Sequence, residues 1–309
     1  MDNKKIGLVV KAAGSLYTVR DKQSGGVYEC RIRGKLRLND ARTTNPLAVG
    51  DAVCYEPGAA PVITALLPRR NYIIRRATNL SKEAHIVAAN IDQAFLLVTV
   101  DFPRTSTEFI DRFLVSAEAY RIPVGIVVNK VDLYDARRLQ EAAHLAEIYG
   151  AIGYQTLKIS AKVKDDVGLV KSFLANKITL FSGNSGVGKS SLINALNPRL
   201  GLRVGEISEY HNKGRHTTTF SEMLEVEENS YVVDTPGIKG FGLVDIDPSE
   251  LSHYFSEIFA ASRGCRFNGC THAHEPGCAV RQSVASGGIS QSRYASYLKM
   301  LEGDEKYRR

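Results

Sequence analysis

The segment Gly183–Ser190 reads GNSGVGKS, and it constrains the fold of this 309-residue chain more than any other. It follows an apolar run, ITLF, and opens a helical run, SSLINAL, that stops at Asn197-Pro198. The pattern G-x-x-x-x-G-K-[ST] binds phosphate in this setting, because backbone N–H groups and a lysine then face the anion. The sequence therefore predicts an α/β domain built around a phosphate-binding loop.

Each part of this loop has an expected role. Its glycines let the backbone turn toward the phosphates, Lys189 supplies positive charge at the β and γ oxygens, and Ser190 can ligate Mg²⁺. We predict that nucleotide contacts come from the whole loop and the first helical residues: Gly183, Asn184, Ser185, Gly186, Val187, Gly188, Lys189, Ser190 and Ser191.

The tetrapeptide NKVD, Asn129–Asp132, stands at the end of another apolar run, IPVGIVV. Asp132 can accept hydrogen bonds from the N1–H and the exocyclic amine of guanine, whereas adenine has no donor at N1 and would leave that carboxylate unpaired. We expect Lys130 to lie along the base and Asn129 to brace the phosphate loop. The motif, Val131 included, thus favours guanine as the bound base.

Two shorter motifs add to the same site. SAK, Ser160–Lys162, follows an apolar run, and the backbone N–H of Ala161 could reach the guanine O6. DTPG, Asp234–Gly237, follows YVV; Asp234 would hold Mg²⁺ through water, and the N–H of Gly237 would sense the γ-phosphate. All four motifs end predicted strands, where α/β sheets bind ligands, so we expect them to meet in one nucleotide site.

The order of these motifs is unusual. Most guanine-nucleotide-binding domains begin with the phosphate loop, but here the loop follows NKVD and SAK. Because domain termini often lie close together, a domain can be opened at a new loop and keep its site. The order predicts a circularly permuted P-loop domain. Gly237 to Leu243 then lead straight into the C-terminal section, and we expect them to couple the two parts.

The sequence on either side of the α/β region has a different pattern. Residues 1–70 carry short alternating runs broken by turn residues, which predicts a small antiparallel β-barrel. The basic segment PRRNYIIRRATNLSKEAH that follows is interpreted as a linker. We predict a barrel over residues 1–70, the permuted nucleotide domain over residues 71–242 and a helical metal-binding section over residues 243–309.

Positive charge is concentrated at the N-terminal end. Residues 1–76 hold 14 Lys and Arg against 6 Asp and Glu, a local excess of +8 that accounts for the formal net charge of +7. Such a concentration favours a polyanionic partner, above all nucleic acid, with a solvated basic face as the alternative. Candidate RNA contacts are Arg31, Arg33, Lys35, Arg37, Tyr17 and Tyr28. The two tyrosines could equally belong to the core of the barrel.

A cluster of metal-binding residue types lies near the C-terminal end: Cys265, Cys270, His272, His274 and Cys278. Three thiolates and one imidazole make a closed tetrahedral set that suits structural Zn²⁺ and leaves no position for a catalytic water. By spacing, either histidine could take the fourth place. Cys30 and Cys54 lie on predicted strands far away and are interpreted as core residues.

In this order and combination, the four motifs and the cysteine cluster resemble those of the circularly permuted, ribosome small-subunit-dependent GTPases of bacteria. The likeness covers essentially the whole chain. It implies an OB-fold barrel that contacts rRNA, a domain that hydrolyses GTP to GDP with Mg²⁺, and a zinc domain with His272 as fourth ligand. It further implies a partnership with the small ribosomal subunit and other maturation factors during a late maturation step.

The resemblance also concerns GRHTTT, Gly214–Thr219, which looks like the switch I of that family. We expect Thr218 to contact the nucleotide, although spacing leaves open which threonine meets Mg²⁺. Because Ile238 follows DTPG, no glutamine is available there to orient the attacking water. The resemblance implies slow hydrolysis that the small subunit stimulates. The candidate catalytic residues are His216, Lys189, Asp234 and Gly237.

Two other function classes compete with this interpretation. One is a non-catalytic RNA-binding module that uses GTP as an occupancy signal, and the other is a tRNA-modifying or translational GTPase, which would lack the cysteine cluster. Membrane proteins are excluded, because no apolar run approaches the roughly 18 residues of a membrane span. We expect a soluble, cytoplasmic monomer.

Overall fold

The computed structural model describes residues 4–34, 46–76, 84–202, 222–234 and 246–303. Several residues singled out above lie outside these ranges: Lys35, Arg37, His216, Thr218 and Gly237. Their predicted roles remain predictions.

The first section forms a closed barrel. Its strands are β1 (Lys5–Ala13), β2 (Leu16–Asp21), β3 (Val27–Ile32), β4 (Ala52–Glu56) and β5 (Val62–Leu66). β1 pairs with both β2 and β4, and β5 joins β3 to β4, so the ring of five described strands closes on itself. An antiparallel barrel was predicted, but β3 and β5 run parallel to each other.

Alternate residues of these strands fill the barrel. The buried set is Val9, Tyr17, Val19, Cys30, Leu47, Val53, Tyr55 and Ile63. Cys30 is a core residue as predicted and Cys54 is half-buried. Tyr17 is 2% exposed, which removes it from the candidate base-stacking residues.

The segment interpreted as a linker is partly a hairpin, so that interpretation was wrong. β6 (Tyr72–Arg76) pairs antiparallel with β7 (Ala84–Ala89). Two arginines just before this hairpin have partners, since Arg69 pairs with Asp51 at 2.7 Å and Arg70 with Asp92 at 2.8 Å.

The central domain is a mostly parallel sheet. Its strands are β8 (Gln93–Val98), β9 (Val124–Val128), β10 (Gln155–Lys158), β11 (Ile178–Ser182), β12 (Glu222–Glu227) and β13 (Ser230–Asp234). Their order is β10-β9-β8-β11-β13-β12, and β12 alone of these six runs antiparallel to its neighbour. Because consecutive parallel strands need crossovers, helices cover both faces.

The crossover helices are α1 (Thr107–Ala119), α2 (Ala136–Ala151), α3 (Lys164–Leu174) and α4 (Lys189–Leu196). One apolar core lies under α1 and α2, and a second lies under α3 and α4. Of these helices, α4 was predicted from the run SSLINAL, whereas α3 was not predicted. TSTE, residues 105–108, has the spacing of a capping box, but the α1 N-cap is Ser106, whose Oγ accepts from the Phe109 N–H at 3.2 Å. Gly150 lies inside α2.

The C-terminal section, called the tail here, contains α5 (Ser256–Ser262), α6 (Ala279–Ala285) and α7 (Gln291–Glu302). A 3₁₀ turn, Leu251–Tyr254, precedes α5. Val115 of α1 lies in the apolar core of the tail with Phe255 and Tyr297. The tail therefore shares its core with the central domain.

Across the part of the chain that the structure describes, no helix combines the length and apolar character needed to cross a membrane.

Candidate nucleotide site and metal centre

The phosphate loop connects β11 to α4, as the sequence predicted. Two of its glycines are required by close approach. A Cβ at Gly183 (φ 144°) would lie 2.3 Å from the Leu97 carbonyl oxygen, and a Cβ at Gly188 (φ 98°) would lie 2.4 Å from Asn129 Nδ2. Positive φ at both positions also disfavours other residues. The loop is thus packed against the strand ends that carry the other motifs.

Lys189 lies inside the loop and is 9% exposed. Its Nζ donates to the carbonyl oxygens of Gly183 at 2.7 Å and Asn184 at 3.1 Å. Burial lowers the pKa of Lys189, and the charge of Asp234 opposes that effect. A partly desolvated ammonium of this kind gains from a bound anion, which is what phosphate oxygens would supply.

Asn129 joins three of the motifs. Its Nδ2 donates to the Val187 carbonyl of the phosphate loop at 2.9 Å, and its Oδ1 accepts from the Ala161 N–H of SAK at 3.2 Å. The side chain is 1% exposed. Asn129 therefore braces the phosphate loop, as its predicted role required, and also fixes the backbone of SAK.

Asp132 projects from the 3₁₀ turn Val131–Leu133 after β9. One carboxylate oxygen accepts from Ser160 Oγ at 2.8 Å and the other accepts from Lys162 Nζ at 3.0 Å. Burial alone would raise the pKa of Asp132, but these hydrogen bonds outweigh it and lower the pKa. The carboxylate is thus ionised at neutral pH and held beyond the carboxyl end of β9.

Asp234 ends β13, and its backbone stands in register with Phe181 at the end of β11. This places a carboxylate beside the loop that carries Ser190, at the carboxyl edge of the sheet. Carboxylate and hydroxyl oxygens are ligands that suit Mg²⁺, which usually adds phosphate oxygens and waters. The residues that are present fit that ion. The catalytic candidates His216 and Gly237 and the nucleotide contact Thr218 lie outside the described residues.

The loop between β8 and α1, Thr99–Ser106, belongs to this site and was missed by the sequence reasoning. The carbonyl of Phe102 accepts a hydrogen bond from Lys130 Nζ, and Pro103 lies 3.3 Å from the position of a Cβ on Gly186. The available signal was positional, because this loop leaves the carboxyl end of a parallel strand, where ligands bind.

The metal-binding residue types of the tail converge as predicted. The ligand atoms of Cys265, Cys270, His272 and Cys278 lie within 4.8 Å of one another. Nδ1 of His272 is 3.6 Å from Sγ of Cys265 and 3.5 Å from Sγ of Cys278, and these two sulfurs are 3.9 Å apart. Tetrahedral Zn²⁺, with bonds of about 2.3 Å to sulfur and 2.0–2.1 Å to nitrogen, needs separations of this size.

The protonation chemistry of the cluster also fits a cation. Burial raises the pKa of Cys270 to about 12, so its thiolate would need a nearby positive charge. Burial lowers the pKa of His272, which keeps the imidazole neutral and able to ligate. Tyr294 and Tyr297 donate to the carbonyls of His272 and Thr271 at 2.7 and 2.8 Å. His274 is exposed, so His272 is the histidine of the cluster.

The candidate RNA face of the barrel is described in part. Arg31 and Arg33 are exposed, and Arg33 pairs with Glu56 at 2.6 Å. Tyr28 is half-buried, and its ring centroid is 5.5 Å from that of Tyr55. The structure leaves the two described arginines accessible to a polyanion.

Comparisons with known proteins agree with this architecture. The family model described as RsgA GTPase matches residues 66–244, and the model described as RsgA N-terminal domain matches residues 6–60. A curated relative, small ribosomal subunit biogenesis GTPase RsgA 2 of Bacteroides thetaiotaomicron, is 55% identical over 307 residues and 98% of each chain. The small ribosomal subunit biogenesis GTPase RsgA of Porphyromonas gingivalis is 51% identical over 311 residues and again 98% of each chain.

Two solved structures have the same fold. The crystal structure of YjeQ from Thermotoga maritima matches with a TM-score of 0.80 and 39% identity, over 97% of this chain and 98% of that one. YloQ, described as a circularly permuted GTPase, matches with a TM-score of 0.76 and 32% identity, over 99% and 96%. The predicted fold, a permuted P-loop domain between an OB-type barrel and a Cys/His section, is confirmed.

Proposed function

Because this chain belongs to the RsgA GTPase family and is therefore a GTP hydrolase, we propose that it binds the small ribosomal subunit and couples hydrolysis to a late step of its maturation. The observation that carries the nucleotide half is Asp132, ionised and held by Ser160 and Lys162 at the base edge. The subunit half is supported by relatives that are named small ribosomal subunit biogenesis GTPases.

The residue roles follow from the geometry. Asp132 reads guanine, Asn129 holds the phosphate loop against SAK, and Lys189 moves from the loop carbonyls to the β and γ oxygens of GTP. The Ala161 N–H, which donates to Asn129 Oδ1 here, would also donate to the guanine O6 when nucleotide is bound. The remaining loop residues act through their backbone N–H groups, which converge on an anion at the start of α4.

Ser190 and Asp234 would hold Mg²⁺, which neutralises charge that develops on the phosphate oxygens during hydrolysis. Water attacks the γ-phosphorus, the bond from that phosphorus to the β–γ bridging oxygen breaks, and GDP and inorganic phosphate are the products. We assign His216 as the group that positions this water. His216→Ala should then reduce small-subunit-stimulated turnover without weakening GTP binding, and full retention of stimulated turnover would remove that role.

The Cys/His cluster would hold one structural Zn²⁺, which orders the loop between α5 and α6. The tail and the exposed arginines of the barrel then contact rRNA on the subunit, and other maturation factors act at the same stage. This setting places the protein in the cytoplasm, where small subunits mature. Metal analysis of the purified protein tests the assignment: one zinc per chain, lost in Cys278→Ser, is the expected result.

The base assignment is tested by exchanging the donor and acceptor pattern. Asp132→Asn should weaken GTP binding and improve binding of xanthosine triphosphate, because the amide donates where the carboxylate accepted. Equal affinity of the wild-type and variant proteins for both nucleotides would contradict the assignment.

The partner assignment is tested by co-sedimentation with isolated small and large ribosomal subunits in the presence of GDP or a non-hydrolysable GTP analogue. We expect binding to the small subunit, stronger with the analogue. Equal binding to both subunits in both nucleotide states would contradict the proposal and favour general affinity for RNA.

A further inference from the structure

The loop Thr99–Ser106 lies between the phosphate loop and the base-recognition motif. The Phe102 carbonyl accepts a hydrogen bond from Lys130 Nζ, and Pro103 packs on Gly186 of the phosphate loop. A Cβ placed at Gly188 would lie 4.0 Å from Lys130 Cε, so the lysine stem runs past the phosphate loop toward Phe102. The position of this stem therefore depends on the position of the Phe102 carbonyl.

The backbone at Phe102 is not in a relaxed conformation. Its φ is 62°, which a bulky residue seldom adopts, and its side chain is 49% exposed. Neither local preference nor burial of the ring explains why the chain stays there. Contacts from elsewhere must hold the conformation.

Thr99 Oγ1 donates to the Pro103 carbonyl, and Arg138, in the first turn of α2, supplies two further contacts. Its Nε donates to Asp101 Oδ2 at 2.9 Å, and its guanidinium lies 5.1 Å from the centroid of the Phe102 ring. Nη1 also donates to Asp135 Oδ2 at 2.6 Å, which fixes the guanidinium from the opposite side. A planar guanidinium suits this combination of stacking and directed hydrogen bonds, and a lysine would not reproduce it.

We propose that Arg138 is a positioning residue for guanine recognition: by holding Asp101 and the Phe102 ring, it fixes the carbonyl that orients Lys130 along the face of the base. The proposal rests on the guanine site proposed above and deepens it. The contacts of Arg138 are with Asp101, Phe102 and Asp135, so its effect on the base passes through the loop. Its removal should weaken contacts to the base and leave contacts to the phosphates unchanged.

The experiment compares release of GDP and GTP with the binding of a ligand that has no base. GDP and GTP are labelled on the ribose with a fluorophore. Arg138→Ala should release both about fivefold faster than the wild-type protein, because the loss of one cation–π contact and one exposed ion pair changes a rate by a factor of that size. Competition by tripolyphosphate should be unchanged. Arg138→Lys should restore little of the loss, and Asp101→Asn should change release in the same direction by a smaller factor.

Arg137→Ala is the matched control. Arg137 is the neighbouring residue in the same helix turn, and its side chain is 87% exposed and pairs with Glu141. It should release both nucleotides at the wild-type rate. The proposal is overturned if Arg138→Ala and Asp101→Asn both behave like Arg137→Ala, or if tripolyphosphate affinity falls by the same factor as GDP affinity. Wild-type protein that binds ATP as well as GTP would instead refute the guanine site itself.

Discussion

The barrel meets the central domain through strand pairing, exposed ion pairs and apolar packing of Leu8, Val10 and Val49 on the central core, whereas the tail meets it through a buried ionic network. At the barrel junction β1 pairs with β12 at Lys11 and Glu222, and the side chains of Lys11 and Glu222 form an ion pair at 3.1 Å while 45% and 49% exposed. Arg20 and Glu225, 30% and 32% exposed, pair nearby at 2.5 Å. Such pairs contribute little, typically about 0–1 kcal/mol each.

The tail junction centres on Arg293 of α7, whose side chain is 1% exposed. It donates to Asp111 of α1 at 2.8 Å and to Glu257 of α5 at 2.7 Å, and its guanidinium lies 4.5 Å from the Phe255 ring centroid. Tyr149 of α2 donates to the same Asp111 oxygen at 2.7 Å. Because buried charges lose their partners only at high cost, α1, α2 and the tail should move as one body. The ion pairs of the barrel junction are more exposed, and its partner strand β12 begins three residues after Thr219, the last residue of GRHTTT.

Metal removal should give the largest loss of stability, and it should affect the tail but not the barrel. Structural Zn²⁺ contributes about 10–16 kcal/mol of apparent binding energy in zinc-finger peptides, and the tail shares its small core with α1. After chelation, hydrogen exchange should lose protection over residues 246–303 while the barrel amides keep theirs. Equal loss in the two regions would show that the metal does not set the difference between them.

Arg293→Ala should have the next largest effect. We expect the free energy of unfolding to fall by about 3–5 kcal/mol, because Asp111 is left as an uncompensated buried charge. Burial raises the pKa of Asp111 and Arg293 opposes that effect. In the variant the carboxyl can take a proton, so the loss should shrink as pH falls. Denaturant unfolding across pH measures this.

Lys299→Ala is the control for Arg293→Ala. Lys299 also links α7 to α1, through an ion pair with Glu108 at 3.1 Å, but its side chain is 62% exposed. The substitution should lower the free energy of unfolding by less than about 1 kcal/mol. Equal effects of the two substitutions would contradict the buried-network account.

The barrel has a buried carboxylate with the opposite pH behaviour. Asp21 is 2% exposed, and a hydrogen bond from Tyr55, with backbone N–H groups of Ser24 and Gln23, lowers its pKa. Its contribution is therefore present above the unfolded-state pKa, about 3.9, and is lost as pH falls below that value. Asp21→Asn should cost about 1–3 kcal/mol at neutral pH and progressively less in acid. A difference that stays constant from pH 7 to pH 3 would contradict this.

Arg20→Ala should give the smallest effect. We expect a loss of at most about 1 kcal/mol, because the pair with Glu225 is partly exposed, although the guanidinium also lies 5.7 Å from the Tyr231 ring centroid. Thermal unfolding measures it. A loss as large as that of Arg293→Ala would mean that the barrel is held as rigidly as the tail.

Sequence predicted the parts of the site that depend on local pattern. Motifs at strand ends must meet at one sheet edge, and a Cys/His cluster within 14 residues, Cys265–Cys278, needs one loop to converge. It did not predict contacts that depend on distant partners. The Arg293–Asp111 pair joins residues 182 positions apart, and the Phe102 carbonyl carries no signal in its side chain. The β6–β7 hairpin was missed because the segment PRRNYIIRRATNLSKEAH is basic and has only weak periodicity.

The central claim is that the small subunit controls hydrolysis at this permuted site. Multiple-turnover phosphate release from GTP should be measured with the protein alone, with isolated small subunits and with large subunits. We predict slow release by the protein alone, strong stimulation by small subunits and no stimulation by large subunits. In other GTPases, a catalytic group supplied by a partner protein stimulates hydrolysis by about 10³–10⁵-fold. Tight GTP binding with equal, unstimulated release in all three mixtures would contradict the claim and favour an occupancy switch.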